Sequence, residues 1–228
     1  MNILVRKVRS AFIRARGVLY SQRFGFDPAG IYAKSFYEDG GFIRTERSAE
    51  VIAAWATKQL GTRSLLDLGA GAGYYLRAFS KMGVEVFGLE ASPEGVKATG
   101  TGALALAYDL KRPVHLSRTF DTVMCVEVAE HIPKKSSATL VASICANSSR
   151  FVLFTAAPPG TPGVDHINCR EGSFWHGLFA SHGFQVRDDL THDLRSIARA
   201  NEIAEWWFSW AWCLEKGTGP SSDRKFSN

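Results

Sequence analysis

Leu65-Leu66-Asp67-Leu68-Gly69-Ala70-Gly71-Ala72-Gly73 is the stretch that decides the fold. An apolar run breaks into glycines at every second position, and Tyr74–Met82 then returns to helical spacing. A strand turning sharply into a helix needs residues able to take positive φ, and no Cβ where another group presses on the backbone. Glycines at 69, 71 and 73 supply both. The helix that follows presents free N–H groups at its start, a favourable place for the negative end of a ligand.

Working outward, residues 46–60 place Val51, Ile52, Trp55 and Leu60 at helical spacing, and Gly61 stops the run. Val84–Leu89 reads as a second strand ending at Glu90, and Ala103–Tyr108 as a third ending at Asp109. Phe120–Val128 makes a fourth, opening on the Phe120-Asp121 pair. Phe151–Ala156 makes a fifth, ended by Pro158, Pro159 and Gly160. Phe184–Leu190 reads as a sixth, and Trp206–Leu214 as a last, aromatic strand. Helical patterns at Pro93–Ala98, Ser136–Ala146, Glu171–His182 and Leu194–Ile203 lie between them. Strands alternating with helices predict βαβ units: a doubly wound α/β fold on a mainly parallel sheet, with helices on both faces. The alternation of Trp206, Trp207, Trp210 and Trp212 assigns most of them to the core rather than to a ligand.

With 228 residues, one domain with end extensions is expected. The four cysteines (Cys125, Cys145, Cys169 and Cys213) are scattered without a Cys-x-x-Cys pair. That excludes a zinc cluster or disulfide framework and favours a reducing, cytoplasmic setting. No stretch approaches the ~20 apolar residues of a membrane span, and Arg6, Lys7 and Arg9 come too early for a signal peptide. The net charge of +5 is unevenly placed. Residues 1–24 carry Arg6, Lys7, Arg9, Arg14, Arg16 and Arg23 with no acid, which leaves 21 basic against 22 acidic groups elsewhere. Residues 1–45 therefore read as a basic arm, able to meet a membrane surface or an acidic partner, with Tyr32–Phe42 a candidate lid. Residues 46–216 read as the domain, and 217–228 as a small, polar, disordered tail.

A dinucleotide site would put its third glycine at position 74, which is Tyr74; here it comes one residue early, at Gly73. Glu90, at the end of the second strand, can accept hydrogen bonds from both hydroxyls of a ribose. Asp109, ending the third, could accept from an adenine amino group. The run LLDLGAGAG, then Glu90, Asp109 and FDTVMCVEVAEHI resembles the class I S-adenosylmethionine (SAM)-dependent methyltransferases, in order and spacing, over roughly residues 46–216. The resemblance implies a Rossmann-like seven-stranded sheet whose last strand is antiparallel, inserted beside the sixth. It also implies SAM as cofactor, with its methionyl part over Gly69, Ala70, Gly71 and Gly73, its ribose on Glu90 and its adenine near Asp109 and Leu110.

Methyl transfer is an in-line displacement, so the enzyme positions the acceptor and helps it lose a proton; a hydroxyl needs a base or a metal ion. Glu127, Glu130 and His131 follow the fourth strand, and if the chain turns helical there they share one face. Two carboxylates and an imidazole make a half-site for a divalent cation such as Mg or Mn, with His166 as a further ligand from the loop after the fifth strand. This Glu-x-x-Glu-His with a later histidine resembles two metal-using branches, the small-RNA 2′-O-methyltransferases and the ubiquinone-pathway O-methyltransferases. Carried over, Glu127, Glu130, His131 and His166 would be the ligands. Alternatively, Glu130 and His131 cap a helix start and His166 acts alone as base. The loop Pro158–Asn168, with Trp175 and Phe179 downstream, resembles those of sugar-modifying methyltransferases.

Three functions follow as expectations. The first is O-methylation of a small molecule or of a sugar or glycan, with His166 and His131 as catalytic candidates. The second is methylation of an RNA ribose 2′-hydroxyl, against which the near-neutral domain body counts. The third is a non-catalytic, cofactor-binding protein.

Overall fold

The computed structural model describes residues 43–98, 105–163, 165–201, 203 and 206–217. Residues 1–42 of the basic arm, with the candidate lid, and all but the first residue of the tail lie outside these residues, while 43–45 open the first helix.

Helix α1 (Ile43–Trp55) widens into a π-turn over Ala56–Leu60 and stops where Gly61 takes φ +66°. Then come β1 (Ser64–Leu68), α2 (Tyr74–Lys81), β2 (Glu85–Glu90), α3 (Pro93–Ala98), β3 (Ala105–Ala107) and β4 (Phe120–Cys125). Two 3-10 turns, Ala129–His131 and Lys134–Ser136, lead into α4 (Ser137–Asn147) and β5 (Ser148–Phe154). Helix α5 (Gly172–Ala180), β6 (Phe184–Val186), α6 (Asp188–Ala200), a 3-10 turn (Trp206–Trp210) and β7 (Trp212–Lys216) complete the chain.

The seven strands form one sheet in the order β3-β2-β1-β4-β5-β7-β6. The first five are parallel, and β7 runs antiparallel between β5 and β6. The expected doubly wound, mainly parallel sheet is therefore observed.

Strand alternation builds the two cores. Leu65, Met124, Phe151 and Leu153 face one side, with Ile52, Trp55, Leu76, Phe79 and Leu194 from α1, α2 and α6. Leu66, Val123, Cys125, Val152 and Phe154 face the other, with Leu140, Ile144, Trp175 and Phe179 from α4 and α5. Burial on both faces is why β1, β4 and β5 read as near-continuous apolar runs. Each fully buried Phe or Leu contributes roughly 1.5–3 kcal/mol. Trp55 Nε1 donates to Asp193 Oδ2 at 2.7 Å, tying α1 to α6.

Several boundaries differ from the sequence expectations. The fourth strand stops at Cys125, because Glu127 takes φ +53° and breaks the ladder. The sixth keeps only Phe184–Val186; Asp188 and Asp189 occupy the first turn of α6, where negative charge favours a helix start. Trp206–Trp210 is a 3-10 turn rather than strand, and the last strand runs from Trp212 to Lys216. Asp121 lies at the edge of the sheet away from the ligand side. It accepts from the Arg63 and Ser64 amides at 3.0 and 3.1 Å, so its role is to lock β4 to β1. The four cysteines are free thiols. Among the described residues no helix is long and apolar enough to cross a membrane.

Candidate active site

In an open parallel sheet the ligand crevice lies outside the carboxyl ends of the strands, where connections depart to opposite faces. Here β1 leaves through the glycine turn to α2, while β4 leaves through the Ala129–His131 turn towards α4. Gly69, Gly71 and Gly73 take φ +90°, +53° and +72°, all in the left-handed region. A Cβ on Gly69 would lie 2.3 Å from Val128 Cγ2. The bare backbone at 69 thus admits the segment after β4, and not only a ligand.

Glu90 ends β2 with 8% exposure. Its Oε2 accepts from the Gly71 amide at 2.7 Å and its Oε1 from the Ser92 amide at 2.8 Å. Each carboxylate oxygen keeps a second acceptor site for a ribose hydroxyl. Burial pushes its carboxyl above the ordinary range, opposed by those amides. Asp67, 2% exposed, is pushed up to about 7 by burial and then by the charge of Glu90. Its Oδ2 is buried without a hydrogen-bond partner among the described residues. An orphaned acceptor of this kind calls for an additional donor. The residues present therefore fit a cationic, ribose-bearing cofactor. Asp109 is only half-buried; its Oδ1 accepts from the Lys111 amide at 3.0 Å, while the Leu110 side chain is buried beside it.

On the acceptor side, Glu130, His131 and His166 bring one ligand-type atom each to within 4.8 Å of one another. Glu130 is fully buried. Its Oε1 accepts from the Ala157 amide at 3.3 Å, and its Oε2 has no partner among the described residues. Burial, then the neighbouring Glu127 carboxyl, pushes Glu130 well above the ordinary carboxylate range. The rings of His131 and His166 meet edge to face, 5.0 Å between centroids. His131 Nδ1 lies 3.1 Å from the Asp165 carbonyl and His166 Nδ1 lies 3.2 Å from the Thr161 carbonyl. A carbonyl only accepts, so Nδ1 carries the proton in both rings and Nε2 holds the lone pair. Burial lowers His131 to about 4, helped by His166 beside it and opposed by the Asp165 carbonyl.

Glu127 is not part of this group. Its carboxylate neighbours that of Glu130, but its backbone is left-handed and its Oε1 is already engaged, accepting from Thr155 Oγ1 at 2.8 Å and from Trp210 Nε1 at 3.0 Å. The expected one-face array of Glu127, Glu130 and His131 fails because the chain makes a single 3-10 turn there, begun only at Ala129. Sequence reasoning missed Thr155 and Trp210. The polar Thr155 directly after an apolar strand was the available signal, whereas Trp210 reaches Glu127 only through the folding of β7 onto β5.

This sheet order, with its glycine turn and carboxylate-ended second strand, defines a Rossmann-like enzyme of the class I SAM-dependent methyltransferase type. Residues 42–207 match a protein family described as a methyltransferase domain, and the chain belongs to that family. Its similarity to curated relatives is lower. It is 25% identical over 190 residues, 78% of this chain and 76% of the relative, to a ubiquinone biosynthesis O-methyltransferase of Methylococcus capsulatus. To the namesake of Alkalilimnicola ehrlichii it is 24% identical over 153 residues, 63% of this chain but only 58% of that relative's length. Among solved structures, an amino pentose methyltransferase of Micromonospora echinaspora with bound SAM aligns with TM-score 0.61 at 14% identity, covering 79% of this chain and 96% of that one. The magnesium protoporphyrin IX methyltransferase of Synechocystis PCC 6803 aligns with TM-score 0.55 at 18% identity, covering 90% and 98%. At such identities the structures speak for the fold alone.

Proposed function

We propose that the protein transfers the methyl group of SAM to a hydroxyl of a small molecule or sugar, and that Glu130, His131 and His166 hold a divalent cation beside that hydroxyl. The observation that carries this reading is the convergence of a buried carboxylate oxygen without a partner and two imidazoles on the ligand edge of the sheet. Their Nδ1 atoms are fixed on carbonyls, the arrangement that orients ligating histidines. A bound cation would act as a Lewis acid and lower the pKa of the acceptor hydroxyl.

The chain's own residues supply the remainder. Glu90 and the glycine turn orient the nucleoside, and Asp67 offers its orphaned oxygen to the cofactor's positive end. Without the cation, His166 is the remaining base, since burial makes His131 a weak one. The names of the curated relatives support an oxygen acceptor. The test is transfer of labelled methyl from SAM across phenols, sugars and RNA, with and without excess chelator. The expected result is transfer to a small-molecule hydroxyl that falls with chelator and returns with Mg or Mn. Unchanged rates in chelator would discard the cation and leave His166 as base. Transfer to RNA alone would replace the acceptor class.

A further inference from the structure

We propose that Asn168 is the positioning residue of the acceptor side: its side chain pins the loop carrying His166 onto the turn carrying Glu130 and His131, and so sets the distance between the two histidines. The inference rests on the reading of that group as the reactive side. Among the described residues, the chain from Thr155 to Glu171 has no regular secondary structure, so no hydrogen-bond ladder holds them. Loops of this kind place a side chain accurately only where specific contacts over-determine them.

Asn168 supplies those contacts. It is 1% exposed and every polar group it owns in this direction is used. Nδ2 donates to Ser137 Oγ at 2.9 Å and to the Ala129 carbonyl at 3.3 Å. Its Oδ1 accepts from Arg170 Nε at 2.9 Å, and its amide donates to the Glu130 carbonyl at 2.9 Å. Immediately before His166, Asp165 gives its carbonyl both to His131 Nδ1 and to the Ile167 amide. His166 is therefore bracketed: position 165 is fastened to His131 and position 168 to Ala129, Glu130 and Ser137. Two residues between fastened ends have little freedom, so the ring of His166 is held against His131. Only an amide matches this set, because one end must donate twice while the other accepts. A buried donor or acceptor left alone is costly, so the loop shifts rather than leave the bonds unmade.

The full-length protein and its Asn168→Ala variant are compared by three readouts. Through-space NMR contact between the ring protons of His131 and His166 reports the distance directly. Co2+ titration followed by visible absorption reports the ligand group, and calorimetry with SAM reports the cofactor side. The expected result is loss of the cross-ring signal and a ten- to hundredfold weaker Co2+ affinity, as for other residues that orient ligands, with SAM affinity unchanged. A retained cross-ring signal overturns the proposal. If the unaltered protein binds no Co2+ while the cross-ring signal still depends on Asn168, the cation reading falls and the positioning role stands. Should Asn168→Ala fail to fold, Ser137→Ala removes one acceptor from the same amide. A weakened cross-ring signal then supports the role, and an intact one overturns it.

Discussion

Val128 Cγ2 occupies the space beside Gly69 so closely that a Cβ there would stand 2.3 Å from it. The cofactor turn and the acceptor segment are thus packed on each other, one residue from Glu127 and two from Glu130. Gly69→Ala adds a methyl in collision with Val128 and also forces an L side chain to φ +90°. Each effect costs about 1–3 kcal/mol. Adding Val128→Ala relieves the collision but not the backbone strain. Denaturant unfolding should therefore recover part of the lost stability in the double variant, and full recovery would show the strain to be negligible.

Glu90→Gln replaces one acceptor oxygen by a donor facing the Gly71 or Ser92 amide, so one of those bonds is lost. SAM affinity measured by calorimetry should fall at least about tenfold, which corresponds to about 1.4 kcal/mol. Undiminished affinity would remove Glu90 from the cofactor site.

Gly163→Ala tests the acceptor side without touching the cofactor turn. A Cβ at 163 would lie 2.1 Å from His166 Nε2, so the imidazole has to leave its place. Co2+ binding should weaken while SAM affinity stays unchanged. Equal Co2+ binding in the two proteins would separate His166 from any cation site.

Asp67 gives the cofactor-free protein a pH signature. Its carboxyl is raised from the ordinary 3.8 to about 7, first by burial and then by Glu90. Below the unfolded value both states are protonated and its contribution is fully present. As pH climbs, the unfolded chain ionises while the folded carboxyl keeps its proton, so stability is lost until pH passes about 7. Asp67→Asn cannot ionise, so the stability difference between variant and parent should shift in the variant's favour from about pH 4 to about pH 7. A difference independent of pH would mean that the folded Asp67 titrates where the unfolded one does.

Trp210→Phe removes the indole hydrogen bond to Glu127, 3.0 Å long in the folded chain. The expected cost is roughly 1–3 kcal/mol by denaturant unfolding. Combined with Glu127→Ala, the loss should be less than additive, because each change alone removes the same bond. Strict additivity would mean that the two side chains do not interact in solution.

Much of the cofactor half was readable along the chain, because it depends on near neighbours. Positions 69, 71 and 73 needed positive φ, and only glycine supplies that without strain. Glu90 ended an apolar run, and one strand end predicts the next in a parallel sheet. The acceptor half was readable as a set of residue types but not as an arrangement. Glu127, Glu130 and His131 looked equivalent on a helical template, and the left-handed residue at 127 was invisible because nothing in a glutamate codes for it. Asn168 resembled any polar loop residue until its four partners came together.

The sequence by itself therefore determined the strand–glycine–helix turn, the alternation that buries both faces of the sheet, and the carboxylate at the second strand's end. These follow from backbone sterics and hydrophobic period, which act over a few residues. Only the tertiary structure decided that Val128 fills the place beside Gly69, that Trp210 bonds Glu127, and that Asn168 fastens His166 opposite His131. Those contacts join residues far apart in the chain, and their geometry exists only once the packed sheet has fixed the strand ends in space.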